Sequence, residues 1–428
     1  MLNYPKQSQK KSFIAFICLV FMFWAPHIGL DYVFEAENGR KIQLPYGQYF
    51  FFFSSFLAGL YLIYSMRVHN LLAIFSRKTL WIGAAFFLLG IVLSSPSAWG
   101  WRLFAIIGTI SLLSVVGANF VLHSRAKTQF FALMFLVMPF SVPVFGSVLI
   151  EFFGPIDIGF LVVNAKHMEY SPPRWHFLNK SANGFGFDAA LLSIFLTIAI
   201  CYAKNITFRL VAIMLLCAAI YTLIMSGTRA AFIFYIAALI AFLILRYSQK
   251  ALLFLVAGLV CGAVFVYLID GVETLKVFLR LKGNLNNISS TRWGGIVGMW
   301  ELFAASPFAG LGFGAADHKF PIGASNIFYF GVLAEIGLFG FLGALMILAY
   351  PAKYVLACFF NPSGIHDAPF LLAFSTSVLA GFVPYLMFEF DVLRVSANNQ
   401  LFFFCWGVLV FHSINADTNS NHKNATQV

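Results

Sequence analysis

SSTRWGGIVGMWELFAASPFAGLGFGAADHKFPIGASNIFYFGVLAEIGLFG, residues 289–340, is the most polar long stretch of a chain that is otherwise almost all apolar. It carries Arg292, Glu301, Asp317, His318, Lys319, Ser325 and Asn326, then runs directly into an apolar helical segment that contains Glu335. A polar segment feeding a span with an ionisable group inside it is the pattern of a site at a membrane surface, because lipid penalises a charge without a function or a partner.

The rest of the chain sets the solvent. Apolar residues make up 61% of it and charged ones 10%, with 53 phenylalanines in 428 residues. A soluble domain of this size could not hide that much apolar surface, whereas a helical bundle in lipid exposes it at no penalty. The expected fold is therefore all-α: one polytopic transmembrane bundle over residues 1–428, with no separate globular domain. Apolar runs of roughly 17–24 residues, the length a bilayer requires, number about 12. They fall near 12–30, 48–66, 79–95, 103–122, 130–150, 184–202, 208–226, 230–246, 250–269, 325–349, 369–388 and 399–414. Lys6, Lys10 and Lys11 precede the first run, and no small-residue cleavage site follows, so it reads as a retained helix.

Orientation follows the basic residues of the short connections. Arg67, Arg77, Lys78, Arg125, Lys127, Lys204, Arg209, Arg246, Lys250 and Lys353 recur on the side that holds the N-terminal lysines. That side is expected to be cytoplasmic, with both termini on it. The long connections, 31–47, 151–183, 270–324 and the shorter 389–398, then lie on the opposite, outer face. The polar tail 415–428 is expected to be disordered. A net charge of +11 could suggest nucleic acid, but the basic residues are scattered over short loops, which points to anionic lipid heads and a phosphorylated substrate. The six cysteines lie in or beside apolar segments, with neither disulfide nor zinc spacing, and there is no paired acidic motif to suggest a metal site; no metal and no cofactor is expected.

Several residues can carry chemistry. Arg229, in MSGTRAAFIF, sits at a tight turn between two spans on the long-loop face. It reads either as a snorkelling helix-end charge or as a guanidinium whose planar fork grips a phosphate. Arg292 precedes a helical pattern over 295–305 that contains Trp300 and stops at Pro307, with Ser290 or Thr291 as its cap. That segment reads as an amphipathic helix lying along the membrane surface. Arg292 itself is a loop charge or a second diphosphate ligand. The glycine-rich GLGFG, 310–314, is either a tight turn or a backbone that admits close approach of substrate. His318 is the histidine of the 270–324 loop and the natural general base near neutral pH. Ser325 and Asn326 open the next span, and Glu335 lies two turns deeper, as a structural ion pair or a catalytic group. In SPPRWHFLNKSANGFGFD, the residues Arg174, His176, Lys180 and Asn183 stand at the mouth of the sixth span, with Asp188 one turn inside. They read as an interfacial loop or as the lining of a sugar channel, with His176 as a second candidate base.

The order of these motifs resembles the O-antigen ligase and polymerase superfamily of bacterial membrane glycosyltransferases. Its pattern is an Arg (Arg292), a Trp-bearing helix (Trp300), then a Pro and a Gly-x-Gly turn (Pro307, Gly310, Gly312, Gly314). A span marked by Glu-x-Gly and a further Gly follows, as Glu335, Gly337 and Gly340. SGTRAA at Arg229 and SANGFG at Asn183 echo the family's upstream elements, so the likeness covers roughly 180 to 345. One position departs: the family's His-Asn pair reads Ser325-Asn326 here. A serine cannot activate a hydroxyl without a base of its own, so His318, His176 or Glu335 would have to serve. The departure favours a repeat-unit polymerase over a ligase. The resemblance implies inverting, metal-independent transfer of a glycan from undecaprenyl diphosphate to an acceptor hydroxyl. The acceptor would belong to another lipid-linked repeat of O-antigen, capsule or exopolysaccharide, or to lipid A–core in a ligase, with a chain-length regulator as a further partner. A flippase or other polytopic transporter is the rival class. It should show two similar halves, and no internal repeat is visible.

Overall fold

The computed structural model describes residues 77–154, 182–247, 286–315, 328–352, 369–387 and 397–425, and short pieces at 17–18, 34–35, 41–42, 57, 60, 74, 156–157, 162–163, 166–167, 174–175 and 355. Its helices are α1 (Lys78–Leu93), α2 (Ala98–Leu122), α3 (Ala126–Phe153), α4 (Ala182–Tyr202) and α5 (Ile206–Ser226). Then come α6 (Arg229–Tyr247), α7 (Asn286–Ala305), α8 (Phe328–Ala349), α9 (Phe370–Tyr385) and α10 (Ala397–Ala425). The only extended structure among the described residues is three two-stranded antiparallel ladders: β1 (Phe34–Glu35) with β2 (Lys41–Ile42), β3 (Ile156–Asp157) with β4 (Val162–Val163), and β5 (Lys166–His167) with β6 (Arg174–Trp175). The fold is all-α, as the composition required.

Among the described residues six helices, α2 to α6 and α8, carry an apolar stretch long enough to cross a membrane, and α1 and α9 are shorter apolar helices. The expected spans from 79 to 246 and from 325 to 414 coincide with α1 to α6 and α8 to α10. Of those at 12–30 and 48–66 only residues 17–18, 57 and 60 are described, and 250–269 lies outside the described residues, so the figure of about 12 rests on the sequence. Two boundaries differ from expectation. Helix α7 begins at Asn286, before the Gly295 start that the apolar pattern suggested, so Ser290, Thr291 and Arg292 lie within it and not ahead of it. Helix α10 runs to Ala425, through most of the polar tail expected to be disordered.

Helix α4 is the axis of the bundle. Every residue from 185 to 196 is buried, whereas α5, on its outer side, exposes Leu210, Met214 and Ile224 as a lipid-facing helix does. Phe187 of α4, Phe234 of α6, and Phe382 and Tyr385 of α9 form one aromatic knot, with ring centroids 4.8–5.9 Å apart. Each such pair adds about 0.5–1.5 kcal/mol beyond its burial. The knot fastens the beginnings of α4 and α6 to the end of α9. Elsewhere small residues let helices touch backbone to backbone, as membrane helices must when lipid supplies no hydrophobic drive. A Cβ on Gly90 of α1 would collide with Gly340 of α8, and one on Gly343 of α8 with the backbone of Phe87. Trp406 of α10 donates its indole N–H to the Ile347 carbonyl of α8, 2.8 Å away.

These contacts gather one set of helix ends. The Phe328 N–H donates to the Leu386 carbonyl, joining the start of α8 to the end of α9. Gly186 of α4 lies under the α5–α6 turn, where an added Cβ would sit 2.6 Å from the Thr228 Cβ. Gly381 of α9 lies under Phe234 of α6. The α1–α2 turn joins the same end through residues 306–315.

Candidate active site

Helix α8 is interrupted in mid-course. Gly337 adopts φ 65° and ψ −171°, a conformation open essentially to glycine alone. Breaking a helix in lipid frees backbone groups that water cannot reach, so the protein must supply partners. Residues 306–315 supply them. The Leu311 N–H donates to the Ala334 carbonyl at 2.9 Å and the Gly312 N–H to the Glu335 carbonyl at 3.0 Å. In return the Leu338 N–H donates to the Pro307 carbonyl at 2.8 Å. The two strips of backbone are so close that a Cβ on Gly310 would collide with the Glu335 carbonyl, and one on Gly337 with the Phe308 carbonyl. The close approach that GLGFG permits is thus between two parts of this chain.

Glu335 completes the joint. It is 2% exposed, and its Oε2 accepts a hydrogen bond from the Gly314 N–H at 3.1 Å. The loop also rests on the α1–α2 turn. There Ser97 caps α2 by accepting from the Gly100 N–H at 3.2 Å. Phe313 is buried with its ring edge-on to Phe104 of α2, centroids 6.2 Å apart. Upstream, α7 is held to α8 by buried Met299 and Ala334, with Leu302 and Phe330 against them. Residues 295–315 and the first half of α8 are therefore one packed unit.

Arg229 is placed by a second device. Helix α5 ends with Gly227 in the left-handed region at φ 62°. Ser226, fully buried, donates its hydroxyl to the Leu223 carbonyl at 2.7 Å and accepts from the Thr228 N–H at 3.3 Å. The Thr228 carbonyl accepts the Phe232 N–H, opening α6. The Ser-Gly-Thr turn is clamped on α4, and Arg229, the first residue of α6, is left exposed. The N-terminus of α6 carries the positive end of its dipole and a guanidinium besides, an arrangement that favours an anion nearby. Asn183 is half-buried at the start of α4 and Asp188 is buried in it, each within one turn of Gly186.

The structure thus brings Glu335, the glycine turn and the α1–α2 turn together, and seats Arg229 at the same end of the bundle. Arg292 lies in α7, but its side chain is outside the described residues, as are the whole of His176, Lys180, His318, Ser325 and Asn326. Arg174 is described by backbone alone, in β6 opposite His167. Sequence reasoning missed the docking of 306–315 into α8. The available signal was a glycine two residues after an ionisable group in an apolar run, preceded by a second glycine cluster.

Fold and site define the class: a polytopic helical membrane protein whose glycine-rich inter-helix loop is locked into an interrupted span. Within that class, the family model described as O-antigen ligase matches residues 212–345, a little under a third of the chain. The match supports the O-antigen ligase/polymerase superfamily, the resemblance read from the motifs, and with it a glycosyltransferase-like enzyme of glycan assembly. It runs from α5 into α8 and takes in Arg229, Arg292, His318, Ser325, Asn326 and Glu335; Arg174, His176, Lys180 and Asn183 precede it. No curated protein matches the chain.

Proposed function

We propose that the protein is an inverting membrane glycosyltransferase, a repeat-unit polymerase that moves a glycan from undecaprenyl diphosphate to the hydroxyl of another lipid-linked repeat. The observation that carries the reading is the family match over 212–345, which spans the rigid turn presenting Arg229, the helix bearing Arg292 and the locked α8 break. In this reaction a base takes the acceptor proton, the acceptor oxygen bonds to the anomeric carbon, and the sugar–phosphate bond breaks with its electrons going to the diphosphate. The developing negative charge is what Arg229 and Arg292 stabilise, from fixed positions at the lipid–water boundary where such electrostatics act most strongly. His318 is the base of first choice, with His176 as its rival, and no metal is required when guanidinium groups supply the charge. Arg174, Lys180, Asn183 and Asn326 line the path of the sugars. The working face is periplasmic and both termini are cytoplasmic.

A ligase acting on lipid A–core is the second reading, favoured by the description of the matched family model and opposed by Ser325 in place of the family's histidine. The test is transfer by the purified protein in lipid vesicles, given lipid-linked repeat units with neither ATP nor an ion gradient. A ladder of lengthened lipid-linked glycan is the expected product. Transfer only to added lipid A–core would identify a ligase. Movement of the lipid across the bilayer with no new glycosidic bond would identify a transporter.

A further inference from the structure

We infer that Glu335 is a positioning residue: its carboxylate latches residues 306–315 into the break of α8, and it acts neither as acid nor as base. The inference rests on the glycosyl-transfer reading only for its kinetic arm. Three facts carry it. The Glu335 carboxylate is buried and accepts from the Gly314 N–H at 3.1 Å. The neighbouring carbonyls of Ala334 and Glu335 accept from Leu311 and Gly312, so the side chain closes a joint that the main chain has already begun. Glycine at 310 and 337 brings the two backbones within the distance at which that side chain reaches the loop.

The consequence is positional. Gly314 is the last glycine before the segment holding His318, four residues on, and Pro307 follows the α7 that bears Arg292. One hydrogen bond at Gly314, with the main-chain pairs beside it, fixes residues 306–315, which begin at the end of α7 and stop three residues before His318. A carboxylate in an otherwise apolar span has a task here, because it gives a buried main-chain N–H of the loop an acceptor.

Glu335→Gln separates a latch from an acid or base, since an amide oxygen can still accept from Gly314 but cannot exchange a proton. The full chain in lipid nanodiscs would be followed by hydrogen exchange over 306–315 and by transfer rate with lipid-linked repeat units. In the wild type, the amides of Leu311, Gly312 and Gly314 are expected to exchange slowly. Glu335→Gln should keep that protection, the pH profile of kcat, and a rate within about twofold, no more than the weakest hydrogen bond is worth. Glu335→Leu should speed exchange at Gly314 by about two- to tenfold, the factor for one hydrogen bond, and lose most of its transfer rate. Rapid exchange at Gly314 in the wild type would overturn the latch. So would Glu335→Gln with a protected loop and abolished turnover, because the proton or charge itself would then be needed; this arm holds even if the leucine variant does not fold. A protected loop in a wild type that transfers no glycan would leave the latch standing and remove the transferase reading instead.

Discussion

Gly337→Ala tests whether the interruption of α8 is built into the fold. The added Cβ meets two obstacles. The first is conformational: at φ 65° and ψ −171° an alanine is in a region it scarcely populates, at a cost of about 1–3 kcal/mol. The second is steric, because the Cβ would collide with the Phe308 carbonyl. Relief requires the loop to move away from α8, which breaks the pairs Leu311–Ala334, Gly312–Glu335 and Leu338–Pro307. Each is worth about 0.5–1.5 kcal/mol net, more where the freed group is left dry. The expected loss is about 3–6 kcal/mol, a large part of the ~5–15 kcal/mol that separates a native protein from its unfolded state. Reversible unfolding in mixed micelles, followed by tryptophan fluorescence, would measure it. Gly108→Ala on α2 is the control: an added Cβ there meets nothing within 4 Å, and alanine is the better helix former by ~1 kcal/mol. If Gly337→Ala unfolds within about 1 kcal/mol of the wild type, less than the strain alone requires, the account of the joint is wrong.

The other predictions concern chemistry and packing. Arg229→Ala and Arg292→Ala should each slow chain extension by about 10²–10³, the usual loss for one electrostatic donor to a developing anion, while the protein still inserts; normal polymer length from both variants would remove the diphosphate role. Ser325→Ala should be mild and His318→Ala severe, and the reverse order in the same transfer assay would put the working position back at Ser325. Gly343→Leu should force α1 off α8, costing about 1–3 kcal/mol or more as overpacking does; unchanged cysteine cross-linking between α1 and α8 would contradict this. Deleting the gene should leave the host with single-repeat glycans, whereas unattached long polymer would identify a ligase.

What could be read from the sequence followed from local physics. Hydropathy over a window of one span is a property of that window, so α2 to α6 and α8 were located to within a few residues, as was the Ser-Gly-Thr turn before Arg229. The family resemblance was legible for the same reason: its residues occur in order along the chain. The start of α7 was misread because Asn286 to Arg292 have no apolar period of their own, and the helix there is not announced by its sequence. The break in α8 was hidden more deeply. A glycine inside an apolar run is a tolerable helix residue, and Gly337 departs from the helix only because another segment, more than twenty residues upstream, brings its own N–H and C=O groups to replace the ladder. For Glu335 the sequence required a partner, since lipid leaves a carboxyl none by default. That Gly314 is one such partner was decided by the tertiary structure, because a main-chain N–H is offered by almost every residue and only folding selects which one arrives.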